Sequence, residues 1–425
     1  MRAVVGLSEI VWYYRNLREG FEELGIGCWQ VNLDDYVTFD VVSDSNLFLA
    51  RVARKTNRLR RRTKRNQIVR KSLIVVVDTV ARTLLFVSCL ARCDVFVLGA
   101  GTSFVHPREG AILRAFGKKI VRIFHGGDER PFYANGSFTT GAAGMSIEEG
   151  MRKTQRLRSR LRIMDRYANA IVSNPLSSHL HDRDVVIYQR IGNPFRPPVM
   201  AAPEEKKSAG TLRVLHSPSD ETAKGSQLIR DAVDRVKAKG YALELVELVN
   251  VPNTRVMDEL ANCDFVIDQA YSDTPMSGFA TEAAALGKAV IVGGYGWTEL
   301  ESIIPREQWP PTECCLPDEM DVAIERLASD AAYRHALGCR ARDFVLTAWS
   351  CREVASRLLR ICEDDIPSEW FFSPDRLRYT GGCGMSEDRA RQVLQHVLGV
   401  GSVEALQLER KPELETQYLA FASGH

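Results

Sequence analysis

Short apolar runs alternate along the chain with stretches in which apolar residues recur every third or fourth position. The runs are typical of buried strands and the stretches of amphipathic helices, so the alternation predicts an α/β fold with parallel sheets covered by helices on both faces. Before residue 192 the predicted strands are Ala3–Leu7, Cys28–Leu33, Asp94–Leu98, Lys119–Phe124, Ala170–Ser173 and Val185–Tyr188. Helices are predicted between them, including Ile10–Leu24 and a long stretch over Asn46–Arg92.

A proline-rich stretch without periodicity separates two such series of elements. It reads GNPFRPPVMAAPEEKKSAG over residues 192–210 and is typical of a linker. After it the predicted strands are Leu212–His216, Ala242–Leu248, Phe265–Asp268 and Ala289–Gly293, and the predicted helices are Gly225–Lys239, Thr254–Cys263 and one that begins near Ser277. Residues 318–362 have a helical pattern throughout, and the tail has a short helical pattern over Glu387–Leu398 and then frays.

The two series predict two Rossmann-like domains that face each other across a cleft. We place the first domain over residues 1–192, the linker over 193–210, the second domain over 211–350, and a C-terminal helix and tail over 351–425. A length of 425 residues agrees with this division, because single cores stop growing at about 250–300 residues. Such sheets bind ligands beyond the carboxyl ends of their strands, so a ligand is expected in the cleft.

The near-neutral formal charge hides a local excess of positive charge. The chain has 56 Lys and Arg against 54 Asp and Glu, but residues 51–71 contain 11 Lys and Arg and no acid. The adjoining apolar run SLIVVVDTVARTLLFVSCL, residues 72–90, has the length of a membrane span but carries Asp78 and Arg82, which can pair on one helix face. We interpret this run as a buried or surface-associated helix rather than a membrane span.

The cysteines and the first residues indicate a reducing compartment. The ten cysteines form no CxxC pair, which argues against structural zinc and against a disulfide framework. The start MRAVVGLSEI is too short and too soon acidic for a signal peptide. We therefore expect a cytoplasmic protein.

The stretch HSPSDETAKGS, residues 216–226, runs from a strand through a polar loop to a lysine and a glycine at a helix start. Such a turn presents backbone N–H groups and the positive end of the helix dipole, while Lys224 adds a full charge and Gly225 allows close approach. A solvated loop is the alternative interpretation, because a Lys-Gly helix start is common.

A second stretch of this type, DQAYSDTPMSGFATEAAALGKAVIVGG, covers residues 268–294. Its helix opens at Ser277, Gly278 and Phe279, whose backbone amides form another anion-binding helix start. Glu282 lies one turn further and can accept hydrogen bonds from ribose hydroxyls. Two such starts and a carboxylate at one sheet edge suit a nucleotide diphosphate.

The second half resembles the donor-binding domain of the GT-B glycosyltransferases, in particular the large retaining family (glycosyltransferase group 1) of bacterial mannosyl- and glucosyltransferases. The resemblance lies in AKGS (223–226) and SGFATEAAALGKAVIV (277–292), which match that family's strand–loop–KG turn and its EGFGxxxxEAxAxGxPVV helix opening. It covers about 80 contiguous residues well and the N-terminal half loosely. It implies transfer of a hexose from a nucleotide-sugar donor to a hydroxyl of a glycan or lipid-linked acceptor, in polysaccharide or glycoconjugate assembly, with retention and without a covalent enzyme intermediate.

Carried over residue by residue, the resemblance implies that Lys224 neutralises the donor diphosphate and that Glu282 holds the ribose. The first glutamate of the family's E-x7-E pair falls at Thr274 in this chain, with Asp273 beside it as a partial substitute. The arginine that commonly precedes the KG turn is also missing. The implied donor-binding set is Gly225, Asp273, Thr274, Ser277, Gly278 and Phe279, and the implied catalytic set is His125, Lys224 and Glu282.

In the N-terminal half, KKIVRIFHGGDERP (118–131) ends a predicted strand with His125. Family members commonly place a histidine here that reaches the donor sugar across the cleft, and the resemblance implies that role for His125. The alternative is a histidine satisfied within the structure. Asp128 and Arg130 are expected to form an ion pair, and Gly6 resembles the family's acceptor-side glycine turn only weakly.

We predict no metal and no cofactor other than the donor. A metal-bridged donor would need a DxD sequence after a strand. The DxD sequence Asp182-Arg183-Asp184 instead precedes the run VVIY and is interpreted as a loop. Two other functions stay open. One is a catalytically silent GT-B protein that binds a nucleotide sugar or glycan or scaffolds a partner, which the loss at Thr274 favours, and the other is a GT-B sugar-nucleotide epimerase.

The basic segment 51–71 and a second basic helix, with Arg152, Lys153, Arg156, Arg158, Arg160 and Arg162, lie in the predicted acceptor half. A solvated helix face is one interpretation, although many like charges repel and usually need an anionic partner. Nucleic acid is another, but no recognition motif or aromatic interleaving accompanies the charge, so we predict no nucleic-acid partner. We favour an anionic membrane surface, which suits a peripheral enzyme that glycosylates a lipid-linked acceptor.

Overall fold

The computed structural model describes residues 1–33, 48–63, 67–99, 102–139, 144–197 and 210–424, and it contains two sheets. The strands are β1 (Arg2–Leu7), β2 (Gly27–Asn32), β3 (Val95–Gly99), β4 (Lys119–Ile123), β5 (Ala170–Ser173), β6 (Val185–Ile187), β7 (Leu212–His216), β8 (Leu243–Glu247), β9 (Phe265–Gln269), β10 (Ala289–Gly293), β11 (Glu313–Cys315) and β12 (Phe371–Phe372). The α-helices are α1 (Tyr13–Glu23), α2 (Phe48–Arg62), α3 (Ile68–Arg92), α4 (Glu109–Ala115), α5 (Gly136–Thr139), α6 (Ile147–Tyr167), α7 (Tyr188–Ile191), α8 (Glu221–Lys224), α9 (Ser226–Ala238), α10 (Asn253–Asn262), α11 (Gly278–Ala285), α12 (Trp297–Ile303), α13 (Met320–Ser329), α14 (Ala331–Thr347), α15 (Cys351–Cys362), α16 (Glu387–Gly401) and α17 (Pro412–Ser423).

The first sheet has seven strands in the order β12-β6-β5-β4-β3-β1-β2, and all pairs are parallel except β12 with β6. All five residues of β3 are buried, as expected of a parallel strand covered on both faces. The order of the strands reverses between β1 and β3. The loop that follows β1 therefore opens into the crevice where such sheets bind ligands.

The second sheet has five parallel strands in the order β11-β10-β9-β7-β8, and its order reverses between β7 and β9. Helices α9 and α13 share a core cluster on one face, with Ile229 and Ile324 buried there. Helices α11 and α14 pack together on the opposite face. The helices after β7 and after β9 thus cover opposite faces, but both leave the same edge of the sheet.

The C-terminal segment returns to the first domain. Helix α15 packs against α1, and a Cβ on Gly20 would lie 2.0 Å from the carbonyl oxygen of Cys351. The predicted C-terminal helix therefore crosses back onto the first domain. After α15, strand β12 extends the first sheet and α16 packs against α6.

Residues 379–385, here called the strap, connect the two domains. The backbone N–H of Gly136 donates to the carbonyl oxygen of Cys383 at 2.8 Å, on the side of the first domain. The N–H of Gly384 donates to the carbonyl oxygen of Tyr271 at 2.8 Å, on the side of the second domain. The strap thus hydrogen-bonds to both domains.

Two Rossmann-like domains are confirmed, and the ten predicted strands are all present. The helical pattern of residues 318–362 is confirmed by three helices. The structure differs in three places. The stretch predicted as one helix over Asn46–Arg92 contains two helices, the tail that was predicted to fray ends in α17, and the short strands β11 and β12 were not predicted. Residues 198–209 of the linker lie outside the described residues.

Helices α2 and α3 pack against each other and are here called the α2–α3 hairpin. The hydroxyl of Thr56 donates to Asp78 Oδ1 at 2.8 Å, and the predicted pair of Asp78 with Arg82 is confirmed at 3.0 Å. An apolar stripe on α3 stays exposed, formed by Val69, Leu73, Val76, Val80, Leu84 and Val87 at spacings of three and four residues. By length and composition alone, α3 is one helix among the described residues that could cross a bilayer.

Candidate active site in the cleft

The start of α11 is open to a ligand. Its N-cap residue, Ser277, does not cap the helix, because its hydroxyl donates to Asp268 Oδ2 at 2.6 Å instead. Among the described residues no side chain is found to bond to the first N–H groups of the helix. Unpaired N–H groups and the helix dipole favour an anion at this position.

Glu282 lies one turn inside α11. Its carboxylate accepts a hydrogen bond from Asn253 Nδ2 at 3.3 Å, and it makes no ion pair with any described residue. Burial raises the pKa of Glu282 to about 7, and the bond from Asn253 offsets this only in part. A buried carboxyl of this kind gains from any ligand hydroxyl that donates to it.

Two cavities meet at the start of α11. The smaller, ≈ 190 Å³, contains His125, Thr274 and Ser277 on its walls. The larger, ≈ 500 Å³, contains Glu282. Gly278 lines both cavities, so a ligand bound at this helix start reaches His125 on one side and Glu282 on the other.

His125 follows β4 and faces the smaller cavity from the first domain. Its Nε2 lies 3.5 Å from the hydroxyl of Tyr14, and its ring meets the rings of Tyr13 and Tyr188 edge-on at centroid distances of 4.8 and 5.7 Å. Burial lowers the pKa of His125 to about 4, so the ring is neutral at pH 7. A neutral imidazole can donate to or accept from a sugar hydroxyl.

Lys224 and Gly225 are not brought into these two cavities. The ammonium of Lys224 donates to Gln269 Oε1 at 2.6 Å, and Gly225 lines a separate cavity beside the strap. Hydrogen bonds from Gln269 to Asp268 at 3.3 Å and from Ser277 to Asp268 connect the ammonium to the start of α11. Lys224 therefore lies on the expected sheet edge, but its side chain is bound to protein groups.

A short helix, α8, precedes the first predicted anion site, which is the start of α9. Asp220 caps α8 by accepting a hydrogen bond from the N–H of Ala223 at 3.0 Å, and the hydroxyl of Ser226, the first residue of α9, bonds to the buried ring of His216 at 2.9 Å. Gly225 adopts φ +73° between the two helices, and a Cβ there would lie 2.7 Å from that of Ala270. The glycine is needed for this turn and for close packing; it makes no side-chain cap on α9, so anion binding at this start stays a prediction.

Asp273 is engaged by the first domain. Its carboxylate forms a buried ion pair with Arg130, including a bond of 2.8 Å from Nε, and its backbone oxygen accepts from Asn174 at 2.7 Å. The expected pair of Asp128 with Arg130 is thus wrong, since Asp128 instead accepts from the N–H of His125 at 3.0 Å. Asp273 lines the smaller cavity but is no substitute for the missing glutamate, because Arg130 occupies its carboxylate.

Of the nine predicted residues, His125, Asp273, Thr274, Ser277, Gly278 and Glu282 line the two cavities of the cleft. Phe279 packs half-buried against the core in the first turn of α11. Lys224 and Gly225 lie on the strap side. The arrangement can hold an anion at α11, accept hydroxyl donors at Glu282 and present a neutral imidazole opposite them.

A buried network behind His125 was not predicted. His181 bonds to Asp165 at 2.8 Å and to Glu129 at 3.0 Å, and Ser173 donates to the same glutamate at 2.8 Å. Burial opposes the charge on the ring, but the two carboxylates raise the pKa of His181 to about 9. The network fixes the loop that carries His125 and Arg130. Its members are far apart in the sequence, and no spacing pattern indicates them.

The roles of Glu9 and Val11 in the loop between β1 and α1 were also not predicted from the sequence. Glu9 accepts from the N–H groups of Tyr14 and Arg15 and so caps α1, a role that an acid just before a helix start could have indicated. Val11 has φ 43° in the left-handed region, which is strained for a β-branched residue. Its side chain lies across the cleft from Gly278, where an added Cβ would be 3.1 Å from Val11 Cγ1.

Comparisons with known proteins identify no family. No family model and no curated protein matches the sequence. Solved structures similar to the chain include Anabaena Alr3699/HepE in complex with UDP, at 10% identity and TM-score 0.47 over 86% of this chain and 100% of that one. They also include an S. aureus MnaA–UDP structure, at 12% identity and TM-score 0.41 over 86% and 98%, and the glycosyltransferase SnogD from Streptomyces nogalater, at 14% and 0.39 over 85% and 99%. With similarities of this size, the function is inferred from the chain's own residues.

Proposed function

We propose that the protein is a GT-B glycosyltransferase that moves a hexose from a nucleotide-sugar donor to a hydroxyl of a glycan or lipid-linked acceptor. One observation carries the proposal: the uncapped start of α11 opens on a cleft with Glu282 on one side and the neutral ring of His125 on the other. In a nucleotide sugar the diphosphate lies between the ribose and the sugar, just as the helix start lies between Glu282 and His125.

In this proposal the diphosphate lies at the N–H groups that begin α11, beside Gly278. The ribose hydroxyls donate to Glu282 in the larger cavity, and the sugar extends towards His125 in the smaller one. Negative charge that grows on the leaving phosphate is stabilised by preorganised N–H dipoles. The ammonium of Lys224 lies behind the same helix start and is connected to it by hydrogen bonds through Gln269 and Asp268.

Finer features of the reaction follow from the sequence resemblance. The resemblance implies retention of the anomeric configuration, and no bound metal is required in the proposal. Proton NMR of the fresh product distinguishes retention from inversion through the anomeric coupling. Turnover that persists in excess chelator supports metal independence.

Donor hydrolysis tests the proposal with a panel of uridine, guanosine, adenosine and thymidine diphosphate sugars. We expect the wild type to release nucleoside diphosphate from at least one of them. Glu282→Gln should lose about tenfold or more in kcat/KM, because a charge-assisted hydrogen bond is worth about 1.5–3 kcal/mol. Glu301→Gln removes an exposed carboxylate of α12 and serves as the matched control. Equal loss in both variants contradicts the proposed role of Glu282.

A catalytically silent protein that binds a nucleotide sugar is the second candidate. The observation that favours it is the pairing of Asp273 with Arg130 beside Thr274, which leaves no free carboxylate where the family has its first glutamate. Binding of a nucleotide sugar without hydrolysis or transfer, across the whole panel and with candidate acceptors, supports this candidate.

We also propose that the protein works at the cytoplasmic face of an anionic membrane, held by the α2–α3 hairpin. The exposed apolar stripe of α3 supports this, since contiguous exposed apolar surface marks interaction sites. Exposed basic residues of the same hairpin, including Arg51, Lys55 and Arg70, complement anionic headgroups at about 1 kcal/mol each.

A further inference from the structure

A second pocket lies beside the cleft in the first domain. It has a volume of ≈ 480 Å³, which is within the usual range for small-molecule sites, and its walls come from the loop after β4, from Phe138 and from the N-terminal half of α6. Arg130 lines both this pocket and the smaller cavity of the cleft. Asp128, which accepts from the N–H of His125, lines it as well. The pocket therefore begins one loop away from the proposed position of the donor sugar.

The α6 wall of the pocket is positively charged. Arg152, Lys153 and Arg156 line it, and none of the three is within ion-pair distance of a carboxylate among the described residues. Further along the same helix Arg158 and Arg162 are both paired with Asp182. Three unpaired cations in one concave wall produce a field that favours an anionic ligand.

The other groups of the pocket do not cancel this charge. The carboxyls that line it are those of Asp128 and Glu149. Burial, together with the neighbouring Glu129, raises the pKa of Asp128 to about 7, so its negative charge is incomplete at neutral pH. Arg130 also lines the pocket, but its charge is neutralised by Asp273.

The pocket also offers an apolar surface. The ammonium of Lys153 lies 3.0 Å from the ring centroid of Phe138, which holds the lysine at the wall. Phe132 and Leu157 line the pocket beside it. Apolar side chains with a few polar groups are the usual lining of a site for a sugar-sized ligand.

We propose that this pocket binds the acceptor and that the acceptor is a sugar with an anionic group, held by Arg152, Lys153 and Arg156. The role of this ligand as an acceptor rests on the proposed glycosyl transfer, whereas the binding of an anion in the pocket does not depend on it. The anionic group, a phosphate ester or a carboxylate, lies against α6, and the hydroxyl that attacks points past Arg130 towards His125. Charge in the pocket thus selects the substrate class.

Isothermal titration of the full chain tests the proposal with three probes: glucose 1-phosphate, glucuronate and glucose. We expect at least one anionic probe to bind about tenfold or more tightly than glucose, as charge-assisted hydrogen bonds require. The affinity should fall as salt is added. The probe that binds more tightly identifies a phosphate ester or a carboxylate as the preferred group.

The triple variant Arg152→Gln/Lys153→Gln/Arg156→Gln should lose at least tenfold in affinity for that probe. Arg114→Gln/Arg340→Gln/Arg342→Gln removes three exposed charges elsewhere and should bind as the wild type does. The melting temperature confirms that each variant folds. No binding of either anionic probe, no preference over glucose, or equal affinity in the two triple variants overturns the proposal.

Nucleoside diphosphate binding, measured separately, keeps the two proposals apart. If the triple variant still binds nucleotide but not the anionic sugar, both stand. If nucleotide never binds while the anionic sugar does, the transferase proposal fails and the anion pocket remains.

Discussion

Burial changes the charge of the two groups that face the cleft, Glu282 and His125. It raises the pKa of Glu282 to about 7 and lowers that of His125 to about 4. At neutral pH the imidazole is uncharged and the carboxyl is partly protonated. Neither group makes an ion pair with a described residue, so each gains from a ligand that forms hydrogen bonds to it.

Nucleotide binding is therefore expected to release protons. Ribose hydroxyls that donate to Glu282 stabilise its charged form, so binding lowers its pKa below about 7. The affinity for a nucleoside diphosphate should then rise with pH up to about 7 and level off above it. Titration calorimetry in buffers of different ionisation enthalpy measures the protons released.

Glu282→Gln should remove this pH dependence and the proton release, whereas Glu301→Gln should keep both. Proton release that is unchanged in Glu282→Gln would show that another group is responsible.

At the scale of residues, the sequence predicted which side chains line the cleft better than it predicted their partners. His125, Ser277, Gly278 and Glu282 follow strand ends, and strand ends can be predicted from periodicity. The partners of Asp273 and Lys224 cannot, because Arg130 is 143 positions from Asp273 and belongs to the other domain. Pairing over such distances depends on the packing of the two domains.

At the scale of elements, the two helix starts of the second domain have similar sequences but different states. Both follow a strand through a polar loop, and neither N-cap residue caps its helix, but the short helix α8 precedes the first start, whereas Ser277 bonds to Asp268 at the second. Asp220, the N-cap of α8, is a residue type that favours a helix start, so the sequence contained a signal for α8. The orientation of the Ser277 side chain towards Asp268 cannot be predicted from the sequence and is seen only in the structure.

The α2–α3 hairpin is predicted to bind anionic membranes. We expect the full chain to sediment with vesicles of equal parts phosphatidylglycerol and phosphatidylcholine, and much less with phosphatidylcholine alone. Leu73→Ser/Val76→Ser/Val80→Ser should reduce this binding by at least about tenfold, since each apolar side chain buried in the bilayer contributes about 1.5–3 kcal/mol. Ile112→Ser/Val322→Ser/Val400→Ser alters three exposed apolar residues elsewhere and is the control.

If the two triple variants bind vesicles alike, the apolar stripe of α3 is not the contact surface. RNA can be added in an amount whose phosphate charge equals the charge of the anionic lipid. If it then displaces the protein from the vesicles, the basic residues of the hairpin bind a nucleic acid instead.

At the scale of the whole molecule, two segments hold the domains together. Helix α15, in the predicted C-terminal segment, packs on α1, and the strap, which the sequence did not predict, bonds to both domains. The strap segment YTGGCGM has no periodicity, and it is tied to the two domains by backbone hydrogen bonds of Cys383 and Gly384, which no side-chain pattern encodes.

Gly136→Ala should disturb the strap. A Cβ at position 136 would lie 1.8 Å from the carbonyl oxygen of Gly384, so the strap must move. We expect a loss of about 1–3 kcal/mol in stability, as for other overpacked sites, and a larger radius of gyration in X-ray solution scattering. Gly399→Ala in α16, where no atom lies within 4 Å of the added Cβ, is the control and should be neutral or slightly stabilising.

The account predicts that a diphosphate binds at the start of α11, and thermal shift with nucleoside diphosphates measures this most directly. A ligand that binds only the folded state raises the melting temperature. The matched pair Gly278→Asp and Gly278→Asn differs only in a negative charge at the proposed diphosphate position. Both variants add a Cβ that would lie 3.1 Å from Val11, so both should bind more weakly than the wild type. We predict that at least one nucleoside diphosphate raises the melting temperature of the wild type, and that it raises that of Gly278→Asn more than that of Gly278→Asp. An equal rise in the Asp and Asn variants, or no rise in the wild type with any of the nucleotides, would contradict the account.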